Sequence, residues 1–220
     1  MQHAPPATQT PVGRGTRRHR ADRRLRGPGR RVPHRGHRSP RRDDRVPTAA
    51  VDTSTAAGPR FAANRLDITM QAQEKTNWCW AASGNTIATW YGRNYSQNQF
   101  CNAAFNRQQG TTCPNSQATL GNVQTALSWA GIRPGSYVSG YLRYGTVQSE
   151  INARRPVETR IQWSSGGGHM HVVYGYDTAN NWIYWGDPWP NNYRYNWGDY
   201  NYYVNGDSFS WTHSLYRIGA

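Results

Sequence analysis

The sequence has few cysteines and no long apolar stretch. Three cysteines among 220 residues are too few for the disulfide-dense scaffold of a small secreted miniprotein. No apolar run approaches the roughly 18–20 residues that a membrane-spanning helix needs, which argues against a transmembrane protein. The Cys-x-x-Cys and His-Glu-x-x-His pairs that commonly hold zinc are also absent, so we expect no metal and no cofactor.

The first 47 residues lack aromatic residues, lysine and cysteine, but they carry 14 arginines. Their net charge is +11, whereas residues 48–220 carry only +3. Such a segment buries too little apolar surface to offset its ordering entropy, so we expect residues 1–47 to be a disordered tail. Three interpretations of this tail remain open. It could be an export-related leader, an inert extension or wrongly assigned start, or a polyanion-binding arm. Because no aromatic residue is interleaved for base stacking, we expect nucleic acid to bind only non-specifically, through this tail.

The aromatic residues mark the part of the chain that folds. All 10 tryptophans and all 14 tyrosines follow residue 47. Residues 48–65, rich in Ala, Thr and Gly, predict a linker, and residues 66–220 predict one domain. This length can bury a core without metals or many disulfides. We expect the domain to be a monomer.

The first half of the domain has helical patterns. Thr76 or Asn77 is expected to cap a helix that begins at or beside Cys79 and ends at Gly92. Alternating apolar residues predict a short strand over Leu66–Met70. The further predicted helices are Ser96–Phe105, Gln117–Ala130 and a short one from Val147 to Pro156.

In the second half of the domain the residue pattern changes to one that is typical of strands. The predicted strands are Val157–Trp163, His171–Tyr176, Trp182–Trp185 and Tyr200–Val204, separated by Gly, Asn-Asn and Pro. Helices followed by strands are typical of an α+β protein, here with a helical lobe and a sheet lobe.

Cys79 is the candidate nucleophile. It stands at the head of its predicted helix, where the first-turn amides and the helix dipole favour a negative charge. An attacking thiolate needs a base that can become a cation, and histidine does so near neutral pH.

Three histidines lie outside the tail: His169, His171 and His213. His169 follows three glycines and opens a strand, so we expect it to face a cleft without being buried. His171 is two residues further on and should point to the same face of the sheet, one layer deeper. His169 is the preferred base, and the alternative for His171 is a hydrogen-bonded core histidine.

Asp187 and Gln73 complete the candidate site. Asp187 follows a predicted strand and precedes Pro188. If this strand pairs with the one that begins at His169, the carboxylate can hold the histidine ring. Gln73 lies six residues before Cys79, and its side-chain amide, together with the Cys79 backbone amide, could form an oxyanion hole.

The domain resembles papain-like cysteine proteases in two stretches. One is a Gln, five residues and a Cys-Trp pair at a helix start; the other comprises the motifs GGGHMHVVYGYD and WGDPW. The second stretch is similar to the bacterial single-domain branch, which includes secreted peptidases and a plant-pathogen type III effector protease. The resemblance covers most of residues 66–220 and implies a two-lobe fold with the active site between the lobes.

The resemblance also implies roles for the site residues. By motif position these are nucleophile for Cys79, general base for His169, orienting acid for Asp187 and oxyanion donor for Gln73. Many papain-like enzymes orient the histidine with an asparagine instead, so the adjacent asparagines 180 and 181 remain alternatives.

Cys101 and Cys113 lie 12 residues apart and leave Cys79 unpaired. A disulfide between them would stabilise the domain by about 3 kcal/mol in the chain-entropy model; two free thiols are the alternative. A disulfide would indicate an oxidising compartment, so we expect a secreted, extracellular protein, although no secretory apolar stretch is visible at the N-terminus.

The expected function is a cysteine endopeptidase that hydrolyses protein or peptide substrates through an acyl-enzyme. The alternatives are another thiol acyl transfer, either transglutaminase-like or a cell-wall amidase reaction, and a non-catalytic glycan- or wall-binding module. The last would use the aromatic residues between Trp182 and Trp211. The His-x-His pair could in principle hold a metal, but no second metal motif accompanies it.

Overall fold

The computed structural model describes residues 62–220. The expected tail, 1–47, and residues 48–61 of the expected linker lie outside the described residues. The last linker residues, Ala63–Arg65, form strand β1.

The described region contains helices and strands in a mixed order. Its helices are α1 (Cys79–Trp90), α2 (Gln97–Ala104), α3 (Leu120–Trp129), α4 (Tyr144–Asn152) and α5 (Tyr200–Val204). After β1, its strands are β2 (Ser136–Ser139), β3 (Val157–Trp163), β4 (Gly168–Asp177), β5 (Trp182–Gly186), β6 (Tyr195–Asp199) and β7 (Phe209–Tyr216). Within residues 62–220, none of the helices combines the length and apolar character that crossing a membrane requires.

The strands form one antiparallel sheet. Its order is β2-β7-β3-β4-β5-β6, and β1 pairs with β4 outside this path. With helices α1 to α3 preceding most of the sheet, the architecture is the expected α+β class. The first residues of β4, 168–171, pair with β3 on one side, whereas pairing with β5 begins at Val172.

Helix α1 packs directly on the sheet. The Ser83 hydroxyl donates to the Met170 carbonyl of β4 over 3.2 Å. On its other side α1 meets α2 closely: a Cβ on Gly84 would lie 2.6 Å from the Phe100 ring. Glycine therefore lets the two helices approach each other closely.

The expected strand over Leu66–Met70 is wrong. Leu66, Ile68 and Met70 are buried and the residues between them are exposed, so the alternation is real. However, the Tyr195 hydroxyl bonds to the Ile68 carbonyl and the Met70 amide, each over 3.1 Å. A side chain thus occupies the backbone groups that a neighbouring strand would pair with.

The expected strand over Tyr200–Val204 is also wrong, because these residues form α5. Asp199 caps this helix by accepting a hydrogen bond from the Tyr202 amide. Tyr200 and Tyr203 are the buried residues of α5, and their spacing of three is helical rather than strand-like.

The other predicted elements are present with small shifts. Helix α2 is capped by Ser96 and α3 by Thr119, each with a full capping box. Strand β3 has the predicted bounds, and β4 and β5 are longer than predicted. Strands β2, β6 and β7 were not predicted; β7 lies between β2 and β3 and completes the sheet.

Candidate active site

Cys79 is the first residue of α1, half-buried, and the free cysteine of the described region. The expected N-caps do not cap this helix: Thr76 and Asn77 both bind Asn115 instead. Trp78 occupies the N-cap position without a side-chain hydrogen bond to the helix. The thiol therefore lies beside first-turn amides that no side chain caps, a position that favours negative charge.

Strand register brings His169 to Asp187. Val172 pairs with Gly186 across β4 and β5, so the ends of these strands lie side by side, as the sequence predicts for a hairpin. His169 Nε2 lies 2.7 Å from Asp187 Oδ1. The expectation that His169 is unburied is wrong: only 7% of it is exposed, because Asp187, His171 and two indoles pack around its ring.

The His169 ring interacts with both other members of the candidate triad. Burial lowers its pKa, but hydrogen bonds to Asp187 and Cys79, together with their charges, raise the pKa to about 10. Since Asp187 engages Nε2, Nδ1 is the nitrogen left for the Cys79 thiol. The arrangement favours an imidazolium that is hydrogen-bonded to the Asp187 carboxylate at neutral pH.

Asp187 is held by donors on both carboxylate oxygens. Oδ1 accepts from His169 and from the Trp189 amide at 2.8 Å, and Oδ2 accepts from Asn192 Nδ2 at 2.8 Å. His171 Nε2 lies 3.7 Å from Oδ2. Burial raises the Asp187 pKa, but the hydrogen bond to His169 and the electrostatic attraction of both histidines hold it well below its usual range.

His171 lies behind this pair, on the same face of the sheet. Its ring centroid is 5.0 Å from that of His169. Its Nδ1 lies 3.1 Å from the Tyr203 hydroxyl, which lies 2.7 Å from Thr159 Oγ1. Burial lowers the His171 pKa, more than the opposing effect of Asp187 raises it, so the ring is neutral at pH 7.

His169, His171 and Asp187 also form a possible metal-ligand group. One ligand atom from each lies within 4.8 Å of the others. Ligand atoms around a tetrahedral zinc ion are roughly 3.4 Å apart, given bonds of about 2.1 Å. The 2.7 Å separation of His169 and Asp187 is that of two atoms sharing a proton, so the geometry fits a hydrogen-bonded pair better than a metal site.

Gln73 is buried in the loop before α1. Its side-chain amide donates to the carbonyls of Lys75 and Thr76, both over 2.9 Å, and its Oε1 has no hydrogen-bond partner within residues 62–220. Its backbone amide donates to the Pro188 carbonyl over 2.8 Å. This last bond joins the loop before Cys79 to the turn after Asp187.

The remaining candidates bind elsewhere. Asn180 Nδ2 donates to Asp177 and Asn181 Nδ2 to Asp199, at the β4–β5 turn. His213 lies on β7 with Nδ1 beside its neighbour Thr212. In this geometry Asp187, rather than either asparagine, contacts His169.

Cys101 and Cys113 form a disulfide bond. We call residues 113–116, which begin at the second of these cysteines, the strap. The strap forms hydrogen bonds with the segment around Cys79. Its carbonyls accept from Lys75 Nζ at 2.6 Å, from Asn77 Nδ2 at 2.9 Å and from the indole nitrogens of Trp78 and Trp80 at 3.0 Å each. The disulfide therefore anchors the strap that holds the loop and first turn carrying Cys79.

We expect the double variant Cys101→Ser/Cys113→Ser to lower the free energy of unfolding by about 3 kcal/mol. The bridge restricts the unfolded chain, and without it the strap loses its covalent anchor. Denaturant unfolding of the variant and of the oxidised wild type measures the difference. Equal midpoints and equal slopes would contradict it.

Glu158 is a buried acid with an unusual environment. It lies on β3, fully buried, and neither carboxyl oxygen has a hydrogen-bond partner within the described residues. Burial raises its pKa well above the usual range, and the charge at Cys79 adds to this. The carboxyl is therefore protonated in the folded protein at neutral pH.

Sequence reasoning missed two side chains of the site, Asn192 and Tyr203. Asn192 reaches Asp187 because the chain turns back after Pro188, and no local pattern indicates that contact. For Tyr203 there was a signal: the helical spacing of Tyr200 and Tyr203 points both rings inward.

Comparison with known proteins gives one family match. The sequence model of the family described as papain-like cysteine protease AvrRpt2 matches residues 62–203. That range contains Gln73, Cys79, His169 and Asp187. No curated protein matches the chain significantly.

Proposed function

The chain belongs to the papain-like cysteine protease AvrRpt2 family, a bacterial type III effector family, and from this premise we propose that it is a cysteine endopeptidase with a Cys79–His169–Asp187 triad. The proposal rests on the position of the His169 ring, which is hydrogen-bonded to Asp187 over 2.7 Å and interacts with the Cys79 thiol. A nucleophile, a base and an orienting acid in this order form a thiol protease triad.

The proposed reaction has two halves. The Cys79 thiolate attacks the peptide carbonyl carbon, and a tetrahedral intermediate forms. The His169 imidazolium gives its proton to the leaving amine, the C–N bond breaks, and a thioester remains. Neutral His169 then takes a proton from water, the hydroxide attacks the thioester, and the carboxylic acid leaves as Cys79 is restored.

The oxyanion is proposed to bind at the N-terminus of α1. The Cys79 backbone amide lies in the first helical turn, where amides lack intrahelical acceptors. For Gln73 to be the second donor, its amide must exchange one of its two bonds to the Lys75 and Thr76 carbonyls for the substrate oxygen. The bond to Lys75 is the one that can be exchanged, because the Lys75 carbonyl also accepts from the Trp78 amide over 3.0 Å.

The substrate is proposed to lie between a helical lobe and a sheet lobe. The His169 ring is flanked by two indoles: Trp163 is stacked at 6.1 Å and Trp189 is edge-on at 6.4 Å between centroids. Large aromatic surfaces on either side of the base suit an extended peptide with apolar side chains. We further propose that the protein is secreted and acts as a monomer, since its disulfide fits an oxidising compartment.

The test is to incubate the purified full chain with an unfolded, alkylated carrier protein and to determine product masses. We expect new peptide ends, with one water added per cleavage. The matched control is the same preparation pre-treated with iodoacetamide, which should alkylate Cys79 and stop the reaction.

Three outcomes would overturn the proposal. Cleavage at the same rate by the alkylated protein would exclude Cys79 as the nucleophile. Cross-linked products without cleavage would indicate a transglutaminase-like transfer, and release of muropeptides from cell wall in the same assay series, with the carrier intact, would indicate an amidase.

A further inference from the structure

His171 is a second buried histidine at the site, and the triad does not use it directly. Only 2% of it is exposed, and its Nε2 has no hydrogen-bond partner within the described residues. That nitrogen lies 3.7 Å from Asp187 Oδ2, too long for a full hydrogen bond but close enough for electrostatic attraction.

The hydrogen bonds behind His171 decide which nitrogen carries its proton. If the proton were on Nδ1, it would point to the Tyr203 hydroxyl, and the Nε2 lone pair would face the Asp187 carboxylate. Two electron-rich atoms would then be buried against each other. With the proton on Nε2, the Thr159 hydroxyl donates to Tyr203, Tyr203 donates to Nδ1, and the Nε2 proton faces Asp187.

The second arrangement gives each of the two hydroxyls an acceptor and turns the Nε2 proton toward the Asp187 carboxylate, so the electrostatics select it. Burial raises the Tyr203 pKa, which keeps its hydroxyl a donor at all working pH values. The titratable groups in contact with the His171 ring within residues 62–220 are Asp187, His169 and Tyr203. Phe209 and Trp185 cover it as apolar walls.

We propose that His171 is a positioning residue: backed by Tyr203, it presents an N–H to Asp187 and so fixes the carboxylate that orients His169. The inference deepens the proposed function and rests on it. Within residues 62–220, Asn192 is the other side chain that donates to Asp187 Oδ2. Without His171 the Oδ2 side of the carboxylate is held by Asn192 alone, while His169 and the Trp189 amide still bind Oδ1. The carboxylate is then less firmly fixed, and so is the direction of the His169 ring toward Cys79.

The matched pair His171→Gln and His171→Leu tests this inference. A glutamine amide nitrogen extends about as far as Nε2 and can donate to Asp187, whereas leucine fills a similar volume without a donor. We expect His171→Leu to lower kcat about 10-fold with little change in KM, and His171→Gln to stay within about threefold of the wild type. If the role of His171 were merely structural, His171→Leu would be the more active variant, because an apolar side chain suits a buried position better.

The rate of Cys79 alkylation by iodoacetamide is the second measurement, because it needs no peptide substrate. We expect the alkylation rate to be highest in the wild type, lower in His171→Gln and lowest in His171→Leu. The control pair His213→Gln and His213→Leu on β7 should leave both rates unchanged. If the wild type alkylates rapidly and the leucine variant slowly while no substrate is cleaved, the positioning role stands and the protease assignment falls.

If the wild type cleaves substrate and the leucine variant matches it in kcat and alkylation, the inference is overturned. Should thermal unfolding show that His171→Leu does not fold, Tyr203→Phe decides instead. That variant keeps the ring packing and removes the hydroxyl that donates to Nδ1. A fall in kcat of about threefold or more at unchanged KM supports the inference, and an unchanged kcat refutes it.

Discussion

Cys79→Ala is expected to lower kcat/KM for peptide hydrolysis by roughly 10⁴-fold or more. The reason is that the thiolate forms the covalent bond in the first half of the reaction and no other cysteine thiol is free in the described region. Hydrolysis of the carrier protein, followed at several enzyme concentrations, measures the loss. Product ends in the variant at more than a thousandth of the wild-type rate would contradict it.

The same variant gives a second, independent signal. Because Cys79 is one of the two partners that raise the His169 pKa to about 10, its removal should lower that pKa while the Asp187 bond remains. Titration of the His169 ring by NMR measures the change. An unaltered titration would mean that the thiol and the ring do not interact in solution.

Asp187→Asn is expected to lower kcat/KM by about 100-fold or more and to move the alkaline limb of the pH profile to lower pH. Burial alone would lower the His169 pKa, and the hydrogen bond and charge of Asp187, together with those of Cys79, raise it. Without that charge the imidazolium loses its proton at lower pH, and with it the acid that protonates the leaving amine. The pH dependence of kcat/KM between about pH 5 and 10 measures the shift.

A matched control separates this effect from a general change of charge. Asp67 is an exposed aspartate outside the site, so Asp67→Asn should leave both the rate and the pH profile unchanged.

Asp187 also has a pKa held below its usual range, so its stabilising contribution is present at neutral pH and is lost as the pH falls below about 4. An alkaline limb that stays in place in Asp187→Asn would contradict the assignment of this carboxylate.

The parts that local chemistry determines could be predicted from the sequence. Ser96 and Gln99 form a capping box that starts α2, and the Asn-Asn turn between β4 and β5 sets the register that brings His169 to Asp187. The spacing of Gln73 and Cys79 likewise indicated the loop and helix start of the candidate site.

The parts that depend on distant contacts could not be predicted. The alternation over Leu66–Met70 is that of a strand, yet a hydroxyl from Tyr195, 125 residues beyond Met70, occupies its backbone groups. The strap and Asn192 are likewise positioned by turns whose course no local pattern gives. The sequence pattern predicts a strand over Tyr200–Val204, whereas the cap at Asp199 starts a helix there.

The buried carboxyl of Glu158 makes folding a proton-uptake reaction. In the unfolded chain the group ionises around its ordinary value of 4.5, whereas in the folded protein it keeps its proton well above that. As far as this group is concerned, the folded protein is most stable below about pH 4.5, and its stability falls as the pH rises toward the folded-state pKa. The heat of unfolding near neutrality must then include the ionisation enthalpy of whichever buffer takes up the released proton.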